Sequence, residues 1–174
     1  MDQSLYFKGT QSMDVGHFYF INDQYYIDFP DPYLMKNKET ISGVMHGRPC
    51  FFSFWDINKK IYWVIPISSK ISKYKKIYQN KIKKYSICDT IVFGDVLGKQ
   101  KAFLIQNMCP ITSKYVSSEY IDPKAKIPVQ LNGALEKDLI RSSRRVLALI
   151  RKGNNLVFPN VLKIEAELLK QANV

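Results

Sequence analysis

The sequence predicts an α+β fold, in which helices pack around a small, highly twisted antiparallel sheet or barrel. In the first half of the chain, short aromatic and β-branched runs alternate with turn residues, a pattern typical of antiparallel strands. In the second half, apolar residues recur at spacings of three and four, which is typical of amphipathic helices. A chain of 174 residues that is 46% apolar can bury one core, so we expect a single domain over 1–174. Residues 1–15 carry little pattern and could form a loose extension.

The first predicted elements surround an aromatic hairpin. A strand is predicted over 18–21, and Asn22 or Asp23 suits either a helix cap or a turn. The prolines in 29–32 then predict an irregular loop. The aromatic and β-branched runs 49–55 and 61–65 predict the two strands of a hairpin.

The later elements alternate between helix and strand. Apolar spacing predicts a helix over 71–85 whose opposite face is nearly all lysine. A second hairpin is predicted from strands near 90–96 and 101–108. A basic helix is predicted from Leu135 to Ile150, with Gly153 ending it. Pro159 suits the first turn of a last helix, whose Val161, Ile164 and Leu168 are expected to face inward.

The charge balance indicates a polyanionic partner. The chain carries 26 Lys and Arg against 15 Asp and Glu, a formal net charge of +11. No apolar run approaches the roughly 20 residues of a membrane span, and the N-terminal segment does not resemble a secretory signal. We therefore expect a cytoplasmic protein.

The cysteines and histidines do not predict a disulfide framework or a metal site. Cys50, Cys88 and Cys109 are odd in number and scattered, and His17 and His46 lack ligand spacing. We expect chemistry that needs no cofactor and no protein-bound metal.

The open end of the first hairpin is the candidate site. If its turn is centred on Asn58, Arg48 lies opposite Ser68, and a centre half a residue later selects Ser69 instead. Opposed residues have Cβ atoms about 5 Å apart, so one phosphate could touch both the guanidinium and a hydroxyl. Alternatively, Arg48 is a solvated edge residue and the serines cap the helix that starts near Lys70. Both interpretations can hold, because a helix N-terminus also binds anions.

A second stretch repeats the serine motif. The segment 110–114, PITSK, is nearly identical to 66–70, PISSK. With the second turn centred between Gly98 and Lys99, Thr112 would lie opposite Tyr85, and neither arginine nor histidine would face it. We interpret this copy as turn chemistry at a strand end.

Several motifs carry a family resemblance. An Arg-Pro pair opening a strand, followed by a strand that ends Pro-Ile-(Thr/Ser)-Ser, resembles the MazF/Kid toxin endoribonucleases. The chain as a whole is more similar to the ToxN/AbiQ toxins of type III toxin-antitoxin systems, and among them to the CptN branch. The supporting stretches, which span most of 17–170, are FYFINDQYY, DPYLMKNK, RPCFFSF, YWVIPISSKISKYKK, QNMCPITSKY and LIRSSRRVLALIRK.

The resemblance implies a function and its partners. It implies a metal-independent endoribonuclease that cuts adenine-rich single-stranded RNA and halts growth, in plasmid maintenance or abortive phage infection. Its antitoxin would be a repetitive pseudoknot RNA, which the toxin processes and binds in a closed toxin-RNA assembly. The expected cleavage products are a 2′,3′-cyclic phosphate and a 5′-hydroxyl.

The resemblance also implies site residues. The ToxN Thr-Ser pair falls on Ser68 and Ser69, and the MazF-type Arg and Thr fall on Arg48 and Ser68. ToxN has a lysine where this chain has Ile71, so Lys70 or Lys73 must replace it. The upstream ToxN lysine matches either Lys36 or Lys38.

These residues have expected roles in catalysis. We expect Arg48 and Lys70 to stabilise the phosphorane, and Ser68 and Ser69 to hold phosphate oxygens or relay a proton. His46, two residues before Arg48 and therefore on the same strand face, could be the acid or base, or simply a turn residue.

A basic surface is expected to bind the RNA. From Asn58 to Cys88 there are nine lysines and no acid, a run that could be a solvated helix face or a surface that follows RNA. Tyr74, Tyr78 or nearby tyrosines could stack on bases, but most of them are expected in the core. The candidate RNA contacts are Lys36, Lys38, Lys73, Lys75, Lys76, Arg144 and Arg145.

Two other functions remain open. One is a homodimeric MazF-like toxin with a protein antitoxin. The other is a noncatalytic barrel that binds RNA or DNA.

Overall fold

The computed structural model describes residues 13–172, which contain nine β-strands and four α-helices. The strands are β1 (Phe18–Ile21), β2 (Lys38–Ile41), β3 (Val44–Gly47), β4 (Cys50–Asp56), β5 (Ile61–Ser68), β6 (Val92–Val96), β7 (Lys99–Phe103), β8 (Cys109–Ile111) and β9 (Val116–Glu119). The helices are α1 (Asp23–Asp28), α2 (Ile71–Tyr85), α3 (Ala134–Arg151) and α4 (Val161–Ala172). The predicted extension 1–15 lies mostly outside the described residues, but Met13 is buried in the core.

The strands form one large sheet and one small one. The large sheet has the order β6-β7-β5-β4-β1-β9, with β8 paired to β5, and every pair in it is antiparallel. Strands β2 and β3 form a separate two-stranded hairpin. The predicted α+β class with an antiparallel sheet is confirmed.

The register of the β4–β5 hairpin changes at a bulge. Asp56 pairs with Ile61, which centres the turn half a residue beyond Asn58. A bulge at Ser53 then shifts the register by one, and Cys50 pairs with Pro66. Continued toward the open end, this register places Arg48 level with Ser68, as a turn centred on Asn58 predicts.

The helices follow the predicted periodicity closely. Helix α2 has the predicted bounds, and Asn22 caps α1 by accepting a hydrogen bond from the Tyr25 N–H at 3.2 Å. Gly153 follows α3 at φ +92°, a conformation that glycine adopts without strain. The expectation for Pro159 is wrong: Asn160 caps α4 by accepting from the Lys163 N–H, so Pro159 precedes the cap.

The second hairpin is shorter than predicted. Its strands are β6 and β7, and Val96 pairs with Lys99 across a turn centred between Leu97 and Gly98. After Phe103 the chain leaves the strand through a buried 3₁₀ turn, and β8 pairs with β5 instead. Thr112 therefore does not face Tyr85. It precedes another 3₁₀ turn, in agreement with the turn interpretation of the second motif.

The core has two parts. The larger part is strongly aromatic and includes Phe51, whose ring packs edge-on against those of Phe18 and Phe103. In the smaller part, Tyr74 is buried and Tyr78 packs edge-on against Phe93, which fixes α2 on β6 and β7. On α4, Val161, Ile164 and Leu168 are buried as predicted. On α2 the prediction holds only in part, because Tyr74 is buried whereas Tyr85, in the last turn, is 59% exposed. Among residues 13–172, no helix is long and apolar enough to cross a bilayer.

Candidate active site

A buried acid connects Arg48 to Ser68. Arg48 is 8% exposed, and its Nε and Nη1 donate to the carbonyls of Lys36 and Ile67 at 3.0 and 2.9 Å. Its Nη1 also lies 3.7 Å from Oε2 of Glu39, and Glu39 Oε1 accepts a hydrogen bond of 2.9 Å from the Ser68 hydroxyl. Two of the three guanidinium nitrogens are therefore held by the protein. The predicted proximity of Arg48 and Ser68 is present, with Glu39 between them.

Glu39 comes from an element that sequence reasoning missed. It lies on β2, in a hairpin whose turn is Ser42-Gly43, with positive φ at both residues. The Ser-Gly dipeptide is a turn signal, but the strands beside it have four residues each and weak apolar alternation. Because Glu39 is only 8% exposed, its carboxylate depends on Arg48 and Ser68 for compensation.

His46 lies directly across this hairpin from Glu39. The register pairs Glu39 with His46, so the two side chains leave the same face of the hairpin. His46 is exposed and lines a cleft of about 480 Å³ together with Lys38 and Phe20. The imidazole therefore lies on the Glu39 side of the hairpin and is accessible to solvent, and its role in proton transfer stays a prediction.

Ser69 is paired with a lysine that the sequence analysis did not identify. Strand β5 pairs with β7 so that Ser68 lies opposite Ala102, and the next residues along are Ser69 and Lys101. The Lys101 ammonium donates a hydrogen bond of 2.5 Å to the Ser69 hydroxyl. Burial lowers the pKa of Lys101, and the nearby Glu39 carboxylate opposes part of that shift. The second hairpin therefore supplies a cation to the end of the first.

The N-terminus of α2 lies next to Ser68, at the end of β5. The backbone N–H of Lys70 donates to the Ser68 hydroxyl at 3.2 Å, while the Lys70 side chain is exposed. The first turn of α2 contains no acidic residue. The positive end of the helix dipole therefore adds to the cationic character of this region.

The predicted RNA contacts lie on three different surfaces, which are the region beside the β2–β3 hairpin, helix α2 and helix α3. Lys36 and Lys38 line a cleft of about 580 Å³ beside the β2–β3 hairpin. Lys73, Lys75 and Lys76 are exposed on α2, and Lys73 lies over the ring of Tyr74. In the chain, Lys36 and Lys38 precede Glu39 by three residues and one residue, and the α2 lysines begin four residues after Ser69.

Arg144 and Arg145 lie on α3, and each has a protein partner. Arg144 stacks over the ring of Phe54 at 5.2 Å, and Arg145 forms an ion pair of 3.3 Å with Asp89. Both side chains are largely exposed, so these contacts leave surface available. Their role in RNA binding stays a prediction.

The described residues do not contain an evident metal centre. Within residues 13–172, no three His, Cys, Asp or Glu side chains lie close enough together to hold one ion. Burial raises the pKa of the Cys109 thiol to about 12 and that of Cys50 well above its usual value. Burial therefore favours the neutral thiol at both positions.

No protein-family model and no curated protein matches the chain. Among solved structures, AbiQ matches with a TM-score of 0.66 and 13% sequence identity, over 92% of this chain and 100% of the AbiQ chain. AbiQ is described as a lactococcal anti-phage endoribonuclease belonging to the type III toxin-antitoxin system. At this identity the match establishes fold and not chemistry. The chain therefore has the AbiQ fold, which confirms the structural resemblance that its motifs predict.

Proposed function

We propose that this protein is an endoribonuclease toxin of a type III toxin-antitoxin system. The observation that carries the proposal is the group of two serines, Arg48 and a buried carboxylate at the end of β5. It lies in a chain with the fold of AbiQ, and next to exposed lysines that suit a polyanion. Hydroxyl groups beside positive charge can donate hydrogen bonds to the phosphate oxygens, on which negative charge develops during cleavage of a phosphodiester.

The proposed reaction is a transesterification within the RNA strand. The ribose 2′-oxygen attacks the phosphorus and loses its proton to a base. The bond from phosphorus to the 5′-oxygen breaks, and that oxygen accepts a proton. The products are a 2′,3′-cyclic phosphate and a 5′-hydroxyl, with no water consumed and no metal required. His46 is the proposed proton-transfer group, since its imidazole is exposed, lies across the β2–β3 hairpin from Glu39 and has ring nitrogens that can accept or donate a proton.

The two serines have different capacities in this reaction. A hydroxyl carries one proton, and that of Ser68 is donated to Glu39. The Ser69 oxygen accepts from Lys101, which leaves its own proton free for a phosphate oxygen. We therefore assign direct phosphate contact to Ser69. Ser68 and Arg48 position Glu39 and the strand end, and Lys70 adds positive charge nearby.

The proposed RNA partners are a target message and an antitoxin RNA. The net charge of +11 and the lysines on α2 favour a ligand that extends beyond the scissile bond. We propose that adenine-rich single strands are cut in the cytoplasm, and that a repetitive pseudoknot RNA is processed and then bound in a closed assembly. Tandem repeats encoded next to the gene would support this, whereas a small acidic reading frame would favour a protein antitoxin.

The decisive experiment is RNA cleavage in excess EDTA. The purified protein is incubated with adenine-rich single-stranded RNA, and both new ends are mapped chemically. We expect persistent cleavage, a cyclic phosphate and a 5′-hydroxyl. Tight, salt-sensitive binding of intact RNA would instead identify a noncatalytic RNA-binding module. Cleavage that EDTA abolishes would exclude the proposed mechanism.

A further inference from the structure

We propose that Lys101 is a catalytic residue of this site, and that its ammonium group stabilises the phosphate together with the Ser69 hydroxyl. The inference rests on the proposed RNA cleavage. It goes further by assigning the positive charge that contacts the phosphate to a residue on β7, whereas Lys70 and Lys73 contribute only to the surrounding positive charge. Three independent features of the structure support it.

The first feature is the strand register. Ile67 pairs with Phe103 and Ser68 with Ala102, so the same register sets Lys101 level with Ser69. The backbone thus brings these two residues together, and the side-chain hydrogen bond follows from that placement. The side chains of Lys70 and Lys73 are exposed, and Lys73 lies over the Tyr74 ring, so strand pairing holds neither of them against Ser69.

The second feature is the charge balance of the cluster. Glu39 lies 3.7 Å from Arg48, so these two opposite charges largely cancel. Among the described residues, no carboxylate lies within 4.0 Å of the Lys101 ammonium, as the ion pairs of residues 13–172 show. Lys101 therefore supplies the excess positive charge beside the serines.

The third feature is the hydrogen-bonding capacity of the pair. An ammonium group has three N–H donors, and the contact with Ser69 uses one of them. A phosphate oxygen that accepts from Ser69 is then within reach of a second N–H donor. Because Lys101 is partly buried, its charge is screened less than that of a fully exposed lysine.

The pair is tested with three variants in a single-turnover cleavage assay at saturating RNA. Lys101→Met keeps the length of the side chain and removes the charge, and Lys101→Arg keeps the charge. Lys99→Met is the matched control, because Lys99 is an exposed lysine on the same face of β7, two residues away. RNA affinity and the melting temperature are measured for each variant.

We expect Lys101→Met to cleave at least about 100-fold more slowly than the wild type. Lys99→Met should remain within about threefold, and RNA affinity should change similarly in both variants. The wild-type rate should fall at alkaline pH as Lys101 loses its proton. This should occur at a pH below the usual value for lysine, because burial and, to a lesser extent, the Lys99 charge lower the pKa of Lys101, while Glu39 opposes part of the shift. In Lys101→Arg this decline should move to higher pH, since arginine stays charged there.

Each outcome decides the inference. A Lys101→Met variant that cleaves within threefold of an active wild type would overturn the role of Lys101 alone. An unchanged alkaline decline in Lys101→Arg would do the same, even if Lys101→Met proved too unstable to assay. If the wild type itself cleaves no RNA, the proposed function fails, and the role of Lys101 fails with it.

Discussion

Arg48 and Glu39 form a nearly buried ion pair whose two members depend on each other. Their side chains are 9% and 7% exposed. Arg48 also donates to two backbone carbonyls, that of Lys36 in the loop before β2 and that of Ile67 on β5. Removing one member of a buried pair leaves an uncompensated charge, which is more costly than removing both. Arg48 thus contributes to stability as well as to the electrostatics of the site.

At the residue scale, we therefore expect Arg48→Ala to lower the free energy of unfolding by about 3–5 kcal/mol. The double variant Arg48→Met/Glu39→Gln removes both charges and should recover a substantial part of that loss. Urea denaturation with two spectroscopic probes measures both values. An Arg48→Ala protein as stable as the wild type would contradict the buried pair.

At the element scale, the bulge in β4 links the sheet register to α3. Ser53 is the bulged residue, and its hydroxyl lies 2.6 Å from that of Ser143 on α3. Ser143 donates onward to the Leu139 carbonyl at 2.7 Å, so Ser53 must be the donor in the contact between the two serines. The bulge also sets the register that brings Arg48 level with Ser68.

A double-mutant cycle tests this connection. Ser143→Ala should cost about 1–3 kcal/mol, because it leaves the buried Ser53 donor unpaired. Ser53→Ala/Ser143→Ala should cost clearly less than the two single changes together. Ser53→Ala keeps the number of residues in β4, so its cleavage rate should stay near that of the wild type. Single effects that add within about 0.5 kcal/mol would show that the hydroxyls do not interact.

At the scale of the whole molecule, local periodicity in the sequence predicted individual elements better than it predicted which distant strands pair. Helix α2 depends on spacing within one short segment and could be predicted. The open-end register of the first hairpin was one of two predicted alternatives, and the bulge at Ser53, which was not predicted, decides between them. Glu39 reaches the site on the short β2–β3 hairpin. Lys101 reaches it because β7 pairs with β5, a strand that is distant in the sequence. One sequence carries no local signal for such pairing, so these two side chains could be placed only by the fold.

The repeated motif provides a control for the central claim inside the same chain. Ser69 lies at the end of β5 beside Lys101, whereas Ser113 begins a 3₁₀ turn in the near-identical PITSK segment. The two serines share their sequence context and differ in surroundings. Any effect that belongs to the motif alone should therefore be equal at both positions.

The most direct test is the single-turnover rate of RNA cleavage in EDTA for Ser69→Ala and Ser113→Ala. We expect Ser69→Ala to cleave at least about 100-fold more slowly than the wild type, because it removes the hydroxyl that donates to the phosphate. Ser113→Ala should stay within about threefold. Equal rates for Ser69→Ala and the wild type would contradict an active site at the end of β5.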